Sequence, residues 1–169
     1  MKVINEFLEK TSYQIYCDMD GVLCDFEQQF VNYFKMSEDE FKAKYSEDSF
    51  WKLITRAGID YWDTMPWMPD GKDLWYTIRK LNPIILSSPG RMPKAPTGKK
   101  KWVKRELGRD VLVILRQSAK KQELANESAI LIDDREDNIQ EWKSKKGIGI
   151  LHTTAKKTIY ELKKLGAIK

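Results

Sequence analysis

The sequence predicts an α/β fold, a Rossmann-like parallel sheet with a small helical cap inserted after its first strand. Three observations carry that expectation. Five short apolar runs, at residues 13–17, 84–86, 111–115, 129–132 and 148–151, are continuous rather than alternating, as in strands covered on both faces. Helical periodicity fills most of the intervals between them, and such alternation argues for parallel strands joined by right-handed crossovers. The interval between the first two runs, of about sixty-five residues, is far longer than a crossover needs.

Taken in chain order, Ile4, Phe7 and Leu8 suggest a short amphipathic helix packed on the outside, ahead of the first strand. After that strand Asp25 is placed to cap a helix from Phe26 onward, with Gln28 completing a capping-box-like pattern. The long interval is aromatic, holding Phe26, Phe30, Phe34, Phe41, Phe50, Trp51, Tyr61, Trp62 and Trp67. Pro66, Pro69 and Gly71 then return the chain to the sheet. The expected division is a core of residues 1–25 and 72–169 with a helical cap at 26–71. Trp102, Val103 and Leu107, then Ile139 and Trp142, then Ile159, Leu162 and Leu165 sit at helical spacing between and after the later strands.

Composition sets the class of partner. The 169 residues suit one domain with a modest insertion, and 41% hydrophobic content with 33% charge suits a globular chain rather than a disordered one. Apolar runs are too short to span a bilayer, and the acids in the first ten residues do not suit a secretory leader. A cytoplasmic location, with no membrane partner, is expected. Cys17 and Cys24 lack the spacing of a metal knuckle or redox pair and read as reduced, partly buried thiols. The net charge of +5 is concentrated in Lys94, Lys99, Lys100, Lys101, Lys104 and Arg105, with further lysines at 120, 121, 143, 145 and 146. That bias favours an anionic partner, a phosphate substrate ahead of a nucleic acid, although the C-terminal lysines read as a solvated face.

Four groups of reactive side chains fall at or beside strand ends, where open α/β sheets hold their ligands. Asp18 and Asp20 follow the first strand, Ser87 and Ser88 the second; Lys120 and Lys121 precede the fourth, and Asp133 and Asp134 end it. A carboxylate can attack phosphorus and form an aspartyl-phosphate. A second, two residues on, can give a proton to the leaving oxygen and then take one from water. Gly21 allows a sharp turn that would face backbone N–H groups to the phosphate. Converging carboxylates repel unless a cation joins them, and oxygen ligands without histidine or thiol favour Mg2+ over zinc. Serine and lysine would hold the remaining phosphate oxygens. Paired aspartates after a strand are more often only a turn or cap; the ordered set of four carries the weight.

These residues resemble the haloacid dehalogenase (HAD) superfamily of phosphohydrolases. Asp18-x-Asp20-Gly21-Val22 resembles its first motif, the Ser87 strand end its second, a lysine its third and Asp133-Asp134 its fourth. Asp18–Phe26, Leu86-Ser87-Ser88-Pro89, Leu131–Arg135 and Lys99-x-x-Trp102-Val103 are most similar to the 5′(3′)-deoxyribonucleotidases and their phage and bacterial relatives. The resemblance implies Asp18 as nucleophile and Asp20 as acid/base, with the carbonyl of Asp20 on Mg2+. It implies Ser87 on the phosphate with Ser88 beside it, Lys121 in preference to Lys120 as the third-motif lysine, and Lys99 as a second basic group near the phosphate. Asp134 fits the metal-ligand slot, with Asp133 beside it and Asn138 at the following position. Phe26, and the pair Phe50-Trp51, resemble rings lining the base pocket, with Trp51 the nearer analogue; Phe30 and Phe34 read as packing. The implied substrate is a nucleoside monophosphate, most simply a deoxyribonucleotide.

Competing readings fit less well. His152 is the one histidine and no serine sits in a Gly-x-Ser-x-Gly elbow, so a histidine-based triad or metal site is set aside and His152 reads as structural. Gly98-Lys99 is not a P-loop, because Lys100 replaces the Ser/Thr and Pro93 the upstream glycine. A phosphoaccepting signalling domain would place its acidic pair first and its lysine last, the reverse of this order. A silent nucleic-acid-binding protein leaves the intact carboxylates unexplained, and a phosphatase of polynucleotide ends or of a non-nucleotide metabolite keeps the chemistry with another substrate.

Overall fold

The computed structural model describes residues 13–169; the expected helix around Ile4, Phe7 and Leu8 lies outside the described residues. Five parallel strands, β1 (Gln14–Cys17), β2 (Ile84–Ser87), β3 (Val113–Leu115), β4 (Ala129–Asp133) and β5 (Ile148–Leu151), lie in the order β3-β2-β1-β4-β5. This is a doubly wound sheet whose order reverses beside β1, so β1 and β4 flank the crevice where ligands of such sheets bind. Register holds Cys17 opposite Ile85 and Ile132, bringing three strand ends level.

Alternation along each strand divides the core between two faces. Ile15, Cys17, Ile85, Ile130 and Ile132 pack with Leu74, Trp102 and Leu162, from the helices α5 (Gly71–Ile78), α6 (Ala95–Glu106) and α8 (Ala155–Lys164). Leu86, Ala129 and Leu131 face the other way, onto Ile139 and Trp142 of α7 (Glu136–Ser144). All five residues of β4 are buried, which accounts for its unbroken apolar sequence. The third strand is shorter than expected: Leu112 is exposed, and only Val113–Leu115 pair with the edge of β2. The second and fourth strands run one residue further than expected, because Ser87 and Asp133 still pair with Leu115 and Leu151.

Helices α1 (Phe26–Phe34), α2 (Glu38–Lys44), α3 (Glu47–Ala57) and α4 (Asp60–Asp63) lie between β1 and α5. Asp25 caps α1 by accepting from Gln28 N at 2.8 Å, but the Gln28 side chain turns to Asn32 instead of returning. A reciprocal capping box forms at α2, between Ser37 and Glu40. Aromatic packing holds the insertion together: Phe30 stacks on Phe50 at 4.9 Å and meets Phe41 edge-on at 5.8 Å. Its last helix is bound to the core. A Cβ on Gly98 of α6 would sit 2.4 Å from Trp62 Cβ, so only glycine permits this approach. Trp102 Nε1 donates to Met65 O at 2.7 Å, and Arg105 pairs with Asp63.

Candidate active site

The sheet places Asp18 directly after β1, where its N–H donates to Ile132 O of β4 at 2.9 Å. That hydrogen bond sets the Asp18 carboxylate beside the carboxylates that end β4. One oxygen each of Asp18, Asp133 and Asp134 lie within 4.8 Å of one another. Lys121, 1% exposed, stands between two of them, its Nζ 2.9 Å from Asp18 Oδ2 and 2.7 Å from Asp133 Oδ2. Burial works to lower the pKa of Lys121, but the charges of Asp18 and Asp133 outweigh it and hold the ammonium above the ordinary lysine range. Lys120 is exposed, so of the two candidates only Lys121 reaches this cluster.

The two carboxyls of β4 have different surroundings. Asp133 is buried and accepts from Lys121, from Asn138 Nδ2 at 2.9 and 3.0 Å, and from Arg135 N at 3.0 Å. Asp134 is exposed as a residue, yet its carboxyl lies over Gly21: a Cβ there would be 2.3 Å from Asp134 Oδ2. Burial, then the charge of Asp18, raises both carboxyls to about 6, with Asp133 adding to the shift of Asp134. Three converging hard oxygen donors suit a divalent cation such as Mg2+. Asp20, expected to meet the metal through its carbonyl, keeps its side chain outside this cluster and paired with Lys99.

Gly21 contributes room rather than a hydrogen bond. Its φ of +75° makes the expected sharp turn, and its own N–H donates to Cys24 O at 2.9 Å. Lys99, 1% exposed on α6, donates to Asp20, to Ser87 Oγ at 3.2 Å and to Ser88 O at 2.8 Å. Its neighbours Lys100, Lys101 and Lys104 are exposed, so in the basic run one ammonium turns inward. Ser87 is fully buried beneath Lys99, whereas Ser88 lines the open cavity.

That cavity, of about 730 Å³, runs from Asp18, Asp20, Gly21 and Asp134 to Phe26 and Trp51 at its far end. Phe30 and Phe34 pack within the aromatic cluster of the insertion. Among the wall residues that sequence reasoning missed are Trp62, whose ring lies 5.4 Å from Lys99 Nζ, and Arg91 and Glu38. No periodicity marks them, because irregular helix–loop packing delivers them. Cys17 and Cys24 are fully buried rather than partly, and burial raises both thiols well above their usual range. His152 is buried outside the cavity with Nδ1 2.8 Å from Thr158 Oγ1, and burial lowers its pKa. Among the described residues no helix is long and apolar enough to cross a membrane.

No protein-family model and no curated protein matches the sequence. Among solved structures the chain is similar to a hydrolase from Streptococcus pneumoniae TIGR4, at TM-score 0.50 and 14% identity over 92% of this chain and 99% of that one. It is similar also to a provisionally assigned beta-phosphoglucomutase from Thermotoga maritima, at TM-score 0.50 and 14% identity over 90% and 99% of the two chains. At such identities the likeness is one of fold, a Rossmann-like α/β core.

Proposed function

We propose that the protein is a Mg2+-dependent phosphomonoesterase of the HAD superfamily that works through an aspartyl-phosphate, and that its substrate is a nucleoside monophosphate. The observation supporting the chemistry is the contact of buried Lys121 with both Asp18 and Asp133, beside Asp134 and at the floor of an open cavity. An Asp18 oxygen attacks phosphorus as the ester P–O bond breaks, and Asp20 gives its proton to the departing oxygen. Asp20 then takes a proton from water, whose oxygen displaces Asp18 and releases inorganic phosphate.

The other side chains hold this arrangement. Lys121, fixed by Asp133, steadies Asp18 and offers charge to the phosphate. Lys99 stands between Asp20 and the Ser88 carbonyl, where it can turn to an arriving phosphate. Asp18, Asp134 and the Asp20 carbonyl would hold Mg2+, with Asp133 behind them because its oxygens are already engaged. When bound, the ion supplies charge neutralisation and in-line orientation of the phosphate.

The nucleotide reading is supported by the far end of the cavity. Phe26 and Trp51 offer ring faces to a base, each such stack contributing about 1–3 kcal/mol. The helical insertion at 26–71 thus serves as a cap over the site. Asp18→Asn is expected to lower Mg2+-dependent turnover of an aryl phosphate by at least about 10³-fold, and turnover near wild type would sink the mechanism. A panel of nucleotides, oligonucleotide ends and sugar phosphates tests the substrate.

A further inference from the structure

The cavity does not end at the aromatic rings. A second hollow of about 510 Å³ lies beyond, and Phe26, Glu38 and Trp51 border both. One of those three is a carboxylate. Glu38 stands in the first turn of α2, its side chain 16% exposed, with Oε2 accepting from Lys42 Nζ at 2.6 Å. An ionised carboxylate has about four acceptor sites, so one ammonium leaves most of them available.

A buried hydroxyl lies close behind the rings. The Tyr61 hydroxyl, behind Phe26, is fully buried and has no hydrogen-bond partner among the described residues. Burial raises its pKa, and Glu38 is the next cause, ahead of Asp20. Glu38 thus stands mostly buried on the lining that the two hollows share. Of the other charged groups on this wall, Asp25 caps α1, Arg91 pairs with Glu47 at 2.6 Å, and Arg135 pairs with Asp137 at 2.5 Å.

We infer that Glu38 is a specificity-determining residue, accepting hydrogen bonds from the edge of a base held between Phe26 and Trp51, and that it selects guanine. This rests on the nucleotide reading above. Guanine presents adjacent N–H donors, at N1 and at its exocyclic amine, to one carboxylate. Thymine presents a single N–H flanked by two carbonyl oxygens, which a carboxylate repels. A well-formed pair of such hydrogen bonds discriminates between bases by about 1–3 kcal/mol, so the ratio of kcat/KM for dGMP over dTMP is expected to be about tenfold or more.

The test measures both nucleotides, with ribose 5-phosphate alongside, for the wild-type protein and Glu38→Gln. Gln keeps the shape and offers both a donor and an acceptor, so the ratio should fall to within about threefold of unity. The capping box of α2 uses Ser37 and Glu40, so the helix start does not depend on Glu38. Equal rates on dGMP and dTMP, both well above ribose 5-phosphate, would overturn the role of Glu38 and leave the nucleotidase reading intact. A wild-type preference for dTMP, or a ratio unmoved by Glu38→Gln, would do the same. Ribose 5-phosphate turned over as fast as both nucleotides would overturn the nucleotidase reading and Glu38 with it. Should the variant fail to fold, the wild-type ratio decides.

Discussion

At the Asp18 end of the cavity the side chains are tied by charge: Lys121 to Asp18 and Asp133, Lys99 to Asp20, and Asn138 to both oxygens of Asp133. At the Phe26 end the ties are ring contacts, Phe26 with Phe50 at 6.5 Å and with Trp62 at 5.6 Å. The main polar link there, Arg91 with Glu47 and Trp51, is largely exposed. The first arrangement is rigid and intolerant, because each buried charge depends on a particular partner. The second is adaptable, because dispersion and ring stacking survive small displacements. A phosphate of fixed shape suits the former, and a variable leaving group the latter.

The largest effect expected from this contrast is at Lys121. Lys121→Met keeps most of the volume but leaves Asp18 and Asp133 facing each other in a buried site. Removing one partner of a buried ion pair costs about 3–5 kcal/mol, and urea unfolding should show a loss of that order. A loss below about 1 kcal/mol would mean that the charge end relaxes as readily as the aromatic end, and the contrast would fail.

Trp51→Ala tests the other end and should give the opposite profile. Trp51 is half-buried at the edge of its cluster, so stability should change little, by about 0.5 kcal/mol. Catalysis on nucleotides should suffer more: losing one base stack worth about 1–3 kcal/mol lowers kcat/KM roughly tenfold, mainly through KM. Turnover of ribose 5-phosphate, which has no base, should hardly move. An equal loss on both substrates would assign Trp51 to packing alone.

The same contrast explains what could be read in the sequence. Asp18, Ser87, Asp133 and Asp134 are legible because apolar strands mark their own ends, and the carboxyl ends of buried strands are where such sheets gather reactive side chains, whereas Lys121 is told from Lys120 by resemblance. Lys99 is visible only by resemblance, since nothing local separates it from exposed Lys100 and Lys101; its burial comes from the face of α6 that meets β2 and α4. Glu38, Trp62 and Arg91 give no signal. The places of Glu38 and Trp62 depend on how four short helices cross, which aromatic content suggests and does not specify, and that of Arg91 on the loop between β2 and α6. At Gly21 the sequence indicates the turn, and its positive φ is present; that the space above it belongs to the Asp134 carboxyl has no local signal.

The smallest expected effect concerns that carboxyl, and it carries a sign. Folding raises Asp134 from 3.8 to about 6, through burial and then the charges of Asp18 and Asp133. Between those values the folded chain keeps a proton that the unfolded chain releases, so the contribution of Asp134 to stability falls as pH climbs from about 4 to 6 and stays low above. Asp134→Asn removes that repulsion. In EDTA the variant should therefore melt above the wild type at pH 7.5, and the gap should close toward pH 4. Adding Mg2+ at pH 7.5 should reverse the order, because a bound cation stabilises the wild type by mass action and finds one ligand fewer in the variant. A variant less stable than the wild type in EDTA at pH 7.5 would show that Asp134 holds the loop at Gly21 in place, and that the charge end is free of the repulsion a metal would relieve.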